Sequence, residues 1–134
     1  ADILRRHADP EHDLVGHVGG DDFVVIFSSP DWERRCTAIL ADFRDEVRRC
    51  YPEDALARGG ILCEDRRGRV ELFGLLSLAI GVAHPDPEHC ANHHDVAALA
   101  TQAKKKAKQM GSNALYVSPL RAPQDGTEET AAAA

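Results

Sequence analysis

The stretch "HVGGDDFVVIF", residues 17–27, decides how this chain is read. Gly19-Gly20-Asp21-Asp22 sits between a short alternating arm and an apolar, β-branched run. Glycines followed by Asp between two such runs signal a hairpin turn. The reading places one strand near 14–18 and a second near 22–28. A turn supplied by glycine has an ordinary cause, because turns need positive φ. It also has a chemical one: a tip without side chains lets phosphates approach backbone N–H groups.

Moving outward, "SSP" at 28–30 closes the second strand, and Ser29-Pro30 reads as an N-cap with proline at the first helical position. The helix that follows carries Trp32, Cys36, Ile39, Leu40, Phe43 and Val47 on one face and is expected to end near Arg49. Upstream, "ADILRRHA" reads as the last turns of an amphipathic helix, broken by "DPEHD". Downstream, "PEDALARGG" reads as a loop, and "ILCEDRRGRVELF" as two strands around Arg67-Gly68. "LLSLAIGVA", 75–83, reads as a buried strand. Residues 94–109 form a helix with Val96, Leu99, Ala100, Ala103 and Ala107 on one face, and "NALYVS" is a last strand. The order gives an α/β class, an α+β sandwich with a mainly antiparallel sheet flanked by helices.

The chain has 134 residues and a net charge of −6, room for one modest core and a balance unlike that of a general polyanion binder. Nucleic acid is therefore not an expected partner. Residues 1–117 form the domain, and 118–134 are too poor in apolar residues to pack and are expected to be a mobile tail. No window matches a membrane span or a signal peptide, which points to the cytoplasm and to no membrane contact by this segment. Cys36, Cys50, Cys63 and Cys90 lack zinc-finger spacing and read as reduced, mostly buried thiols. His84, His89, Cys90, His93 and His94 crowd one stretch and would suit zinc, but prolines break it, and it reads as a surface loop. Lys104, Lys105 and Lys106 read as a solvated fan on the last helix.

Three landmarks occur in order: Gly19-Gly20-Asp21-Asp22-Phe23, then Ala79-Ile80-Gly81-Val82, then Ala107-Lys108-Gln109-Met110-Gly111-Ser112-Asn113. Together they resemble the GGDEF family, the nucleotidyl-cyclase-like domains of diguanylate cyclases, in a GGDDF variant. The insert "ARGGILCEDRRGRVELF" and "SSPDWERRC" resemble GGDEF domains of composite proteins that also carry an EAL phosphodiesterase domain.

The resemblance implies a nucleotidyl-cyclase, ferredoxin-like fold. It also implies a homodimer in which two GTP molecules condense to cyclic di-GMP with Mg²⁺. Gly19, Gly20 and Lys108 would contact nucleotide, Asp21 would ligate Mg²⁺, and Asp21 with Asp22 would form the catalytic pair. Asp13 would be the remnant of the cyclic di-GMP product site.

Departures from the family pattern accompany the match. Asp22 stands where the family has Glu and is shorter by about 1.5 Å. Ser112 replaces an Arg, which removes a cation expected near the phosphates, and Pro10 stands where the product site has its Arg. The family's first strand and the helix after it, with one metal ligand and the guanine-reading residues, have no counterpart here, so the chain reads as a fragment unable to cyclise GTP. The strands at 22–28 and 75–83 would then either pair with each other or have their gap filled by a second copy. The expected function is a degenerate GGDEF module of a bacterial cyclic di-GMP signalling protein. It would bind GTP or a partner and control an attached phosphodiesterase domain. The alternative is an active diguanylate cyclase in a full-length parent.

Overall fold

The computed structural model describes residues 1–119, so the tail expected over 118–134 lies almost wholly outside the described residues. The chain is a mixed α/β structure of helices and small sheets. In order it runs α1 (Asp2–His7), β1 (Leu14–Gly19), β2 (Asp22–Ile26), α2 (Trp32–Arg49), α3 (Glu53–Arg58), β3 (Gly60–Glu64), β4 (Val70–Gly74), β5 (Ala79–Val82), α4 (His93–Gln109) and β6 (Ala114–Val117).

The sheet is not the continuous, mainly antiparallel one expected. Three separate two-stranded ladders form: β1 with β2 and β3 with β4 antiparallel, β5 with β6 parallel. β2 and β5 do not pair with each other, which corrects the first of the two expected ways of closing the gap. Both strands are also shorter than expected, for one physical reason: polar side chains capture the N–H groups that a longer ladder would use. The Ser28 N–H donates to Asp13 Oδ1, so β2 stops at Ile26. The Leu76 N–H donates to the Tyr51 hydroxyl and the Leu78 N–H to Asn113 Oδ1, so 75–78 stay outside β5. Such local side-chain bonds compete directly with ladder formation.

α2 buries Cys36 and Ile39, half-buries Trp32, Leu40, Phe43 and Val47, and ends at Arg49 as its spacing predicts. It begins later than expected, with Asp31 at the N-cap, and the Ser29 hydroxyl donates to Asp13. α1 packs on α2 through polar groups. His7 Nε2 meets Asp42 Oδ2 at 2.8 Å, and Arg35 Nη1 donates to the His7 carbonyl at 2.6 Å. The segment read as a loop at 52–60 contains the short helix α3. Its signals were local: Glu53 and Asp54 in the first turn, Arg58 in the last and Gly59 beyond it.

α4 lies on β5 and β6. An Asn92 capping box opens it: the Asn92 side chain accepts from the Asp95 N–H, and the Asp95 carboxylate accepts from the Asn92 N–H. Ala103 and Ala107 are fully buried beneath it, while Val96, expected on the same face, stays over a third exposed. Gly81 on β5 explains the close seating. A Cβ built there would run into the backbone of Ala103 and Lys104, so only glycine lets the helix axis approach the strand. Of the four free cysteines only Cys36 is buried, with its thiol pushed up to about 11 by burial. Cys50 and Cys63 are exposed, against the expectation that most would be inside.

Replacing Gly81 with Ala should destabilise the chain by about 1–3 kcal/mol, the usual cost of forcing atoms into a filled contact. Urea unfolding should show it as a lower midpoint, whereas Gly74→Ala, where a Cβ meets open space, should cost far less.

Candidate functional site

The hairpin at the head of the chain is built as its sequence suggests. Leu14 faces Ile26, Gly16 faces Val24 and His17 faces Phe23. The register then slips by a bulge so that Gly19 meets Asp22. Gly20 turns the chain at φ 59°, a left-handed conformation that L side chains resist. A Cβ at Gly19 or Gly20 would meet nothing within 4 Å, so the tip is open and its backbone is accessible.

His17 pins this tip. Its ring stacks on Phe23 with centroids 4.8 Å apart, and Nε2 lies 3.0 Å from the Gly20 carbonyl oxygen. That oxygen can only accept, so Nε2 carries the proton. The sequence marks His17 only as a strand residue. Its partnership depends on the bulge, which brings the turn back over the ring.

The two carboxylates part company. Asp21 is exposed in the turn. Asp22 opens β2, and its Oδ2 lies 2.6 Å from Lys104 Nζ. The hydrogen bond from Lys104 is the main cause holding the Asp22 carboxyl below its ordinary value of 3.8. The charges of Lys104 and Lys108 add to it, and partial burial opposes it. Lys104 was read as one of three solvated lysines. It is instead the residue whose backbone rests against Gly81 and whose ammonium reaches the hairpin. Of its neighbours, Lys106 lies over the Tyr116 ring, 5.4 Å from the centroid. Lys108 is exposed and acts on Asp22 through space.

These residues do not fit a resident Mg²⁺. A divalent cation held by protein oxygens needs carboxylates that converge. Here one of the pair is engaged by an ammonium and the other stands alone in the turn.

The remaining candidates lie apart from the hairpin tip. Asp13 has a fully buried side chain that accepts from the Asp9 and Ser28 N–H groups and the Ser29 hydroxyl, with Arg35 3.8 Å away. The Asp9 N–H is the first cause of its lowered pKa, followed by the bonds from Ser28 and Ser29. Its carboxylate ties the 9–13 turn to the end of β2 and leaves no free acceptor facing solvent. Ser112 lines a cavity of about 380 Å³ with Arg44, Arg48 and Asn113, and no residue of the β1–β2 hairpin lines it. The histidines of 84–94 go separate ways: His84 meets Trp32 edge-on, His89 bonds Asp86, and the His93 and His94 rings lie tilted against each other. Among the described residues no three His, Cys, Asp or Glu side chains are grouped to hold a metal. No helix among them is long and apolar enough to cross a membrane. Comparison with protein-family models, curated proteins and solved structures finds no significant match to this chain.

Two titrations test this geometry. Asp22 should titrate below 3.8 by carboxyl NMR, and Lys104→Met should return it towards that value. Because the folded value is depressed, the pair contributes above the unfolded pKa and is lost as pH falls through the folded one. Asp13 obeys the same sign. Asp13→Asn should lower the urea midpoint at neutral pH, and the gap from wild type should begin to narrow below about pH 4 and vanish as pH falls through the lowered folded value.

Proposed function

We propose that this chain is a degenerate GGDEF-type module of nucleotidyl-cyclase fold, binding GTP at the β1–β2 hairpin without turning it over. The observation that carries the reading is the open Gly19-Gly20 tip with two lysines of α4, Lys104 and Lys108, brought to its side. Exposed N–H groups with adjacent ammonium groups are the chemistry that phosphates need. The sequence landmarks at 19–23, 79–82 and 107–113 support the same reading, and Gly81 has a physical role in it as the seat of α4.

Catalysis is set aside because the carboxylate that cyclase chemistry would require is neutralised. Asp22 is short, and Lys104 holds it. A carboxylate out of place at a reacting centre costs orders of magnitude in rate. In this reading the nucleotide is a signal, and its occupancy is passed to an attached EAL phosphodiesterase domain in a bacterial cyclic di-GMP pathway. That coupling, the homodimer and the cytoplasmic setting rest on the sequence resemblance.

Calorimetric titration of the full chain with GTP, paired with chromatography for cyclic di-GMP, tests the proposal. Saturable binding with no product is the expected result. Binding with product would make the chain an active cyclase. A chain that binds no GTP would leave the module reading without support.

A further inference from the structure

We propose that Lys104 stands in for the divalent cation at this hairpin, so that the polyphosphate of a nucleotide binds without Mg²⁺. The inference rests on the nucleotide reading above and names the cation that reading uses. In a metal-dependent phosphate site, the dication bridges protein carboxylates and phosphate oxygens and cancels the charge between them. The hairpin carries Asp21 and Asp22, so an incoming polyphosphate meets two negative charges unless something offsets them. Lys104 offsets one at 2.6 Å. Lys108 adds a second positive charge close enough to lower the Asp22 pKa through space.

The ammonium is also held in place. Ala103, its neighbour, is buried, and the helix backbone at 103–104 is locked against Gly81 by a contact that admits no Cβ. The lysine stem therefore leaves α4 from a fixed point and needs to order only its own rotamers. An ammonium has three donors and its Asp22 contact uses one, so others remain for phosphate oxygens. Mg²⁺ gains little here. To reach Asp22 it must displace the ammonium or sit beside a like charge, and Asp21 alone offers one exposed carboxylate.

The test compares GTP affinity of the full chain in excess EDTA and in saturating MgCl₂. The expected result is the same Kd in both within about twofold. Lys104→Met should weaken binding in EDTA by about tenfold or more, the loss expected of one charged hydrogen bond, and MgCl₂ should restore part of it. Lys104→Arg, which keeps the charge, should retain cation-free binding and controls for damage to α4. Asp22→Asn, which frees the ammonium, should leave binding in EDTA intact or tighter. Binding of wild type that appears only with MgCl₂ would overturn this inference and leave the nucleotide reading standing. An unchanged EDTA affinity in Lys104→Met would do the same. Absence of GTP binding under both conditions would overturn the nucleotide reading itself, and this inference with it.

Discussion

The contact of α4 with β5 at Gly81 is the constraint on which the rest depends. Among the described residues all three strand pairs are two-stranded ladders, and such ladders have little stability alone. α4 links two of them. It covers β5 and β6 with buried Ala103 and Ala107, and it reaches the β1–β2 hairpin through Lys104. A side chain at 81 would lift the helix, withdraw the lysine and release the hairpin tip from the body. Packing and site chemistry are thus one interaction seen from its two ends.

That arrangement also explains why so much apolar surface stays in solvent. Among the described residues the buried apolar side chains are those of Cys36, Ile39, Ala55, Ala103 and Ala107, and Ile39 is the largest of them. Leu14, Ile26, Val70, Leu72 and Phe73 are each more than half exposed on the two antiparallel ladders. Each strand of these two ladders has one neighbour, not two, and α4 lies on β5 and β6 instead. Polar networks also tie elements together. The Asp13 carboxylate closes the turn at 9–13 against 28–29, and α1 is held to α2 by His7, Arg35 and Asp42.

How much of this was legible follows from where the information lies. α2, α4 and both hairpins are encoded locally, in helical spacing, in Asn92 and Asp95, and in glycines at turns, and the chain forms them close to where that spacing predicts. α3 was missed because six residues give too few turns for periodicity, although its end residues had the right chemistry. The strand ends were missed because Asp13, Tyr51 and Asn113 are distant in sequence from the N–H groups they capture. The hairpin was located, but its electrostatic partner was not. Lys104 looks like its neighbours in a run of three lysines, and only the burial of Ala103 and Ala107 fixes which way it points. The same holds for Asp13, which the sequence marks only as the remnant of a product site and whose bonds to Asp9, Ser28 and Ser29 depend on the folded chain.

Asp22 and Lys104 are best understood as a matched pair. A carboxylate on one methylene stays near its own backbone and cannot reach outward for a partner. A lysine has four carbons of reach and a head group that adapts to a point acceptor. Lys104 is placed by a helix that Gly81 lets in close, so its stem covers the remaining distance. The short acid and the long reach of the lysine together set the pair at 2.6 Å, with Asp22 fixed at the start of β2 and Lys104 fixed on α4.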